Sequence, residues 1–216
     1  LTSQVGKVLE KVIKKELVDY LEGNGLICET QHGFRKGRSC LTNLLDFFEA
    51  VAEEVDRGDP VDVLYLDFRK AFDRVPHERL LLKLKAIGVE GRLLGWIRDW
   101  LKGRRQRVVL GGECSEWTEV TSGVPQGSVL GPVLFIIFIN DIDEGVRSRL
   151  WKFADDLKMM GKVSTEADVK QLREDIDKLV EWSEEWQLSF NLDKCKVMHV
   201  HHHHHHHHHF RLQRPF

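Results

Sequence analysis

The spacing of apolar residues divides the chain into helices and strands before any chemistry is considered. From Val5 onward, Val8, Leu9, Val12, Ile13, Leu17, Tyr20 and Leu21 recur at three and four, the helical period, until Gly23, Asn24 and Gly25 stop it. A second helix is expected after Ser39, its N-cap, with Leu41, Leu44, Leu45, Phe48, Val51, Ala52 and Val55 as a core-facing stripe ending near Gly58. Asp59 and Pro60 break the chain, and Val61 to Phe68, rich in Val, Leu and aromatics, reads as a largely buried strand. Pro76 marks the start of another helix, with Leu80, Leu81, Leu84 and Ile87 facing inward and Asp73 expected to cap it. Leu93, Trp96, Ile97, Trp100 and Leu101 make a further amphipathic helix.

The second half changes character. Val108 to Leu110 reads as a strand with its hairpin partner around Trp117 to Val120. Val129 to Ile142 is apolar at nearly every position, the pattern of a helix buried all round. Arg149 to Phe153 and Leu157 to Met160 are short strands joined by a tight hairpin. Thr165, with Asp168 three residues on, resembles a capping box opening a helix through Val169, Leu172, Ile176, Leu179, Val180 and Trp186, whose outer face is acidic. Leu188 to Leu192 and Cys195 to Val200 read as two strands around a turn that presents Lys194, and the pattern then fails at nine consecutive histidines, His201 to His209.

At 216 residues the chain holds one large domain or two lobes, and its 42% hydrophobic content suits a globular protein with a core. Lys plus Arg is 32 and Asp plus Glu 34, so net charge does not single out a polyanion partner and any nucleic-acid surface must be local. Four dispersed cysteines with no C-x-x-C pair argue against a structural zinc site or a disulfide framework and fit a reducing compartment. No signal peptide is seen, and the longest apolar run, Val133 to Ile139, is too short to span a bilayer, so no membrane is expected as partner. The chain opens at Leu1 inside what reads as a structured segment, the pattern of a fragment of something longer.

Candidate chemistry gathers around Phe153, Ala154, Asp155 and Asp156. Neighbouring strand side chains point to opposite faces, so the two carboxylates address one site only if the chain turns sharply between the strands. Held that close they repel unless a cation neutralises them. Two readings stand for the pair alone: a divalent metal site built from hard oxygen ligands, or a solvated Asp-Asp turn. Asp67 leaves an apolar strand, where an ion without a partner is costly, and so is a ligand candidate. The loop Gln31 to Ser39 carries Arg35, Lys36 and Arg38 with two glycines and Phe34; it grips phosphates or a template strand, or is a solvated turn. The same choice holds for Lys102, Arg104, Arg105 and Arg107. Ser122 to Ser128, a Gly and Pro loop anchored on the apolar helix, is built to present backbone amides and Gln126. The histidine run binds transition metals or is a low-complexity, introduced tract.

Three stretches taken together resemble reverse transcriptases of non-LTR (LINE-type) retrotransposons: Tyr65-Leu66-Asp67-Phe68-Arg69-Lys70-Ala71-Phe72-Asp73, Ser122-Gly123-Val124-Pro125-Gln126-Gly127-Ser128-Val129-Leu130-Gly131-Pro132 and Phe153-Ala154-Asp155-Asp156. With Gln31 to Ser39 before them and Asn191 to Lys194 after, the resemblance runs from Leu1 to about Val200. It implies an α+β right-hand polymerase, with a palm formed by a small antiparallel sheet backed by helices. Fingers would take 1–59, the first catalytic palm strand 60–75, a connecting region 76–125, palm and catalytic hairpin 126–200, and a polyhistidine tail 201–216, with no thumb. It implies two Mg²⁺ ions, Mn²⁺ being a substitute, on a metal set of Asp67, Phe68, Asp155 and Asp156, with Lys194 as proton donor to pyrophosphate. Lys7, Phe72, Gln126 and Gly127 would meet the incoming deoxynucleotide, Phe72 as the steric gate against a ribose 2′-hydroxyl, and Arg35 and Arg38 would lie near the template. The implied partners are an RNA template, a DNA primer and deoxynucleoside triphosphates, and the implied location of the parent element is intracellular, nuclear and cytoplasmic.

Two departures qualify the pattern. Leu157 follows Asp156 where the family usually has Thr, and the usual Arg-Pro before the first segment and the primer-grip strand are not in this sequence. The alternative reading is therefore a truncated, catalytically inactive remnant that at most binds nucleic acid.

Overall fold

The structure is a computed structural model that describes residues 4–201 and, for the backbone, 211–213. In chain order it contains α1 (Gln4–Gly23), α2 (Cys40–Asp56), β1 (Val61–Leu66), α3 (Ala71–Arg74), α4 (His77–Ala86), α5 (Gly91–Leu101), β2 (Arg105–Gln106), β3 (Val109–Leu110), β4 (Glu113–Cys114) and β5 (Thr118–Glu119). There follow α6 (Gly131–Phe138), β6 (Arg149–Phe153), β7 (Asp156–Lys162), α7 (Glu166–Trp186), β8 (Lys196–Val200) and β9 (Arg211–Gln213). The histidine run beyond His201 lies outside the described residues. No described helix is long and apolar enough to cross a membrane.

Contacts divide the chain into two compact units, one of Leu1–Leu26 with Lys70–Phe138, the other of Ile27–Arg69 with Ile139–Phe216. The second is built on a five-stranded antiparallel sheet in the order β6-β7-β1-β8-β9. Period-two alternation puts Val61, Val63 and Tyr65 of β1 on one face beside Lys158, Met160 and Lys162 of β7. Helix α2 covers that face, with Phe47 edge-on to Trp151 at 5.3 Å in a core that also holds Ala50, Val55 and Val200. Both capping motifs are present: Ser39 with Thr42 at α2, and Thr165 with Asp168 at α7.

The stripe expected to bury α2 does so only in part: Val55 is buried and Val51 packs against the core, but the inward face is rotated from the one expected. Asn43, Phe47, Ala50, Glu54 and Val55 face inward, while Leu41, Leu45 and Phe48 are 63%, 59% and 60% exposed. The sheet supplies the reason, because its covered face carries two lysines. Asn43 accepts from Lys158 Nζ at 2.7 Å and Glu54 pairs with Lys162 Nζ at 2.8 Å. Asn43 and Glu54 are eleven residues apart, about three helical turns, so one rotation of the helix answers both cations.

In the first unit α6 packs beside α4, and every residue from Val133 to Phe138 is buried, as its composition predicts. It is shorter than the expected Val129 to Ile142. Glu10 Oε2 accepts from the amides of Val129 and Leu130, and Ser128 Oγ accepts from Gly131 N. At the far end Lys83 Nζ donates to the Phe138 carbonyl, which a longer helix would need for itself. The apolar positions of α1 keep their period, yet Val5, Val8, Leu9 and Val12 are exposed and Leu17, Leu21 and Glu10 are buried.

Three further expectations are corrected. The partner of β3 is β4, and it is β2 that pairs with β5, so the arm is two short ladders rather than one. Leu188 to Leu192 is not a strand; only Phe190 bridges to Phe68, because Leu188 N bonds back to Ser183 O as α7 ends at left-handed Gln187. Asp73 does not cap α4, whose N-cap is Pro76 with no side-chain bond; it lies within α3 and its Oδ1 accepts from Gln126 Nε2 at 2.9 Å.

Candidate active site

Strand register carries the two distant carboxylates to one place. Leu66 of β1 faces Leu157 of β7, so the next position sets Asp67 across from Asp156. Phe153 pairs with Asp156, which leaves Ala154 and Asp155 as the two residues of a tight hairpin. Ala154 takes a left-handed φ of 55°, unusual for a residue with a Cβ. Burial pushes the Asp155 carboxyl above the ordinary carboxylate range, and the charges of Asp156 and Asp67 push it the same way. The sequence thus joins a carboxylate ending one strand, one in a turn, and one opening the next strand.

Lys194 reaches this group from the turn before β8. Its amide and that of Cys195 both donate to the Asn191 carbonyl, and the Asn191 amide donates to the Asp67 carbonyl at 2.7 Å. Lys194 Nζ lies 3.4 Å from Asp67 Oδ2, an ion-pair contact that is not a hydrogen bond, so this buried oxygen has no hydrogen-bond partner. Phe68, placed in the metal set by resemblance, stacks its ring on Phe190 at 4.6 Å, leaving only its main chain to meet an ion. A cavity of about 620 Å³ opens beside the group, lined by Asp67, Asp156 and Lys194 and by Tyr65, Lys158 and Asn43.

Among the described residues no three His, Cys, Asp or Glu side chains already converge as a metal cage. The donors nevertheless fit a hard divalent cation. All are carboxylate oxygens, one is buried with no hydrogen-bond partner, and the mutual repulsion felt at Asp155 is what such a cation relieves.

The remaining candidates fall in two places. Arg35 and Arg38 belong to the same unit as the carboxylates but are engaged by their own loop. Arg35 Nη1 donates to the Cys28 carbonyl at 3.0 Å, and Arg38 pairs with Glu29 and approaches His32 Nε2 at 3.3 Å. Lys7, Phe72, Gln126 and Gly127 lie in the other unit. There Phe72 stacks on Phe135 with ring centroids 4.3 Å apart, Gln126 is held by Asp73, Gly127 has φ 76°, and Lys7 is half-buried on α1. Arg104, one of the basic cluster, is spent on structure: it donates to the carbonyls of Leu101 and Gly123.

Two supports escaped the sequence reading. Glu10, 1% exposed, holds the amides that follow the Gln126-Gly127 loop; its place seven and eleven residues before Leu17 and Leu21 put it on the buried face of α1, a signal that was available. Gln31, fully buried, reaches the hairpin turn itself, and nothing in its immediate neighbours announces that.

Comparison with known proteins adds to this geometry. The family model described as Reverse transcriptase (RNA-dependent DNA polymerase) matches residues 1–211. The chain belongs to the reverse transcriptase family. It is 32% identical over 200 residues to a probable RNA-directed DNA polymerase from transposon X-element of Drosophila melanogaster, covering 90% of this chain and 22% of that protein. It is 31% identical over 205 residues to the RNA-directed DNA polymerase from mobile element jockey of Drosophila funebris, again over 90% of this chain and 22% of the relative. These relatives are non-LTR retrotransposon polymerases, as the motifs predict, and the chain spans about a fifth of their length. In fold it is similar to an apo telomerase from Candida tropicalis (TM-score 0.64, 11% identity, 96% of this chain and 45% of that one) and a telomerase from Candida albicans in complex with a telomeric RNA fragment (TM-score 0.65, 14% identity, 87% and 34%). The chain therefore has the α+β polymerase fold, with the antiparallel sheet that the resemblance implies.

Proposed function

We propose that this chain is the catalytic core of an RNA-directed DNA polymerase, extending a DNA primer with deoxynucleoside triphosphates on an RNA template. One observation carries the reading: the register that sets Asp67 across from Asp156, with Asp155 in the turn between paired strands and Lys194 against Asp67. Asp67, Asp155 and Asp156, with the main chain of Phe68, would hold two Mg²⁺ ions, or Mn²⁺ in their place. Such ions lower the pKa of an attacking hydroxyl and stabilise charge on the leaving group.

The chain's own residues then divide the work. Lys194, exposed and already paired with one carboxylate, stands ready to neutralise or protonate departing pyrophosphate. Phe72, fixed by its stack on Phe135, is the steric gate, and Gln126 and Gly127 with Lys7 meet the nucleotide. Arg35 and Arg38 brace the loop that approaches the template. The parent element would work in nucleus and cytoplasm.

Primer extension on an RNA template with Mg²⁺ tests the reading, with Asp155→Asn as control. Outer partners of metal ligands are worth about 10- to 100-fold, so loss of a ligand should cost at least about 100-fold in extension rate. Equal extension by parent and Asp155→Asn would overturn the metal assignment.

A further inference from the structure

Behind the hairpin turn stands a buried amide that the chemistry above does not use. Gln31 has no exposed surface, and its Oε1 accepts two backbone donors, Gly33 N at 2.7 Å and Ala154 N at 3.0 Å. Ala154 is the left-handed residue immediately before Asp155. The chain around Gln31 is laced to the strand leading into the turn: His32 N donates to Lys152 O and Lys152 N to Thr30 O, each at 2.8 Å. Gly33 seals the contact. A Cβ there would meet Ala154 N at 2.3 Å and its Cα at 3.0 Å, so only glycine lets the two backbones lie together.

The two halves of the Gln31 amide are unequal. Oε1 serves two donors, whereas Nε2 is buried with no hydrogen-bond partner. A residue kept only for packing has no need of a polar head here, and a buried donor without an acceptor is costly. What the site uses is an acceptor aimed at the turn.

We propose that Gln31 is a positioning residue for the hairpin carboxylates: it fixes Ala154 in its left-handed conformation and through it sets where Asp155 and Asp156 point. This rests on the reading of those carboxylates as metal ligands. It is a role of Oε1 alone, so a side chain of equal length that keeps an acceptor should serve, and one that lacks it should not. Gln31→Glu keeps an oxygen acceptor in either protonation state, and the donor it removes, Nε2, has no hydrogen bond to lose. Gln31→Met keeps length and bulk and has no oxygen. A packing role ranks the two the other way, favouring Met.

The test compares the 216-residue chain with these two variants by amide hydrogen exchange across 150–157 and by Mn²⁺ titration followed by electron paramagnetic resonance. Binding lost in Asp155→Asn defines the hairpin site and sets aside ions held by the histidine run. The expected result is faster exchange and at least tenfold weaker Mn²⁺ binding in Gln31→Met, with Gln31→Glu within threefold of the parent, in line with the 10- to 100-fold weight of groups that orient metal ligands. If Gln31→Met does not melt cooperatively, Gln31→Asn, which withdraws the amide by one methylene, takes its place with the same expectation. Parent-like exchange and Mn²⁺ affinity in that variant, or a Glu variant as damaged as Met, would overturn the positioning role while leaving the metal site standing. A parent chain whose Mn²⁺ binding is untouched by Asp155→Asn would overturn the metal reading and the positioning role with it.

Discussion

Asp155 bears a cost in the ion-free protein, since burial and the charges of Asp156 and Asp67 all oppose its ionised form. Neutralising it without changing its shape should relieve that repulsion, so Asp155→Asn is expected to raise the thermal midpoint measured without metal. The parent should instead gain stability from Mg²⁺, because an ion that binds only the folded state adds about 1.4 kcal/mol at ten times its dissociation constant. Opposite signs in the two proteins, read by calorimetry with and without Mg²⁺, check the assignment; a parent indifferent to Mg²⁺ contradicts it. Phe72 offers a separate measurement. Its stack on Phe135 fixes the ring, and removing the ring in Phe72→Val should admit ribonucleotides, seen as a drop of about tenfold or more in deoxynucleotide preference during primer extension, since differences in contact with one small group are worth about 10- to 200-fold.

At the scale of elements, the hairpin is anchored by an ion pair that period and pattern could not reveal. Lys152 is fully buried in β6, and its Nζ donates to Asp143 Oδ1 at 2.8 Å and to the Asn140 carbonyl at 2.9 Å, while Thr30 donates to the other Asp143 oxygen at 2.6 Å. Breaking such a pair leaves an unpaired buried charge, so Lys152→Met should cost about 3 kcal/mol in urea unfolding, and adding Asp143→Asn should return part of it. By contrast Thr165→Ala removes only the cap of α7 and should cost about 1 kcal/mol. These cases show what local pattern carries. The caps of α2 and α7, the apolar helix and the tight hairpin were legible because each is specified by residues within a few positions of one another. The rotation of α2 was not, since Asn43 and Glu54 turn inward to meet Lys158 and Lys162, more than a hundred residues away. The three carboxylates were brought together by the resemblance of the motifs that carry them, whereas Gln31, their support, is set by a bond to Ala154 across 123 residues.

Across the whole molecule each compact unit holds, among its described residues, a histidine whose pKa burial lowers, and that sets a common response to acid. In the first unit, burial lowers the His77 pKa and the Arg104 charge adds to the effect; Nε2 lies 2.9 Å from the Gly123 carbonyl, to which it donates, and Arg104 donates to the same oxygen. In the second, burial and then the charge of Arg38 lower that of His32, whose Nδ1 lies 3.0 Å from Thr42 Oγ1. Both folded values lie below the ordinary 6.5, so the unfolded chain binds more protons than the folded one in the window beneath it. Stability from these groups is complete above about pH 6.5 and falls as the pH drops through that value. A second loss comes from two buried carboxylates of the sheet unit. Burial would raise Asp143 and Asp175, but Lys152 at the first, and Ser148 with the Arg147 amide at the second, hold both below 3.8, so their contribution persists above that pH and disappears below it. Urea midpoints should therefore be flat from pH 8 to about 7, decline toward pH 5, and decline again below about 4. Segment-resolved hydrogen exchange should show the first decline in both units and the second around β6 and α7, and His77→Gln, which keeps a donor for Gly123, should remove the first decline from the α4 region while leaving that around α2.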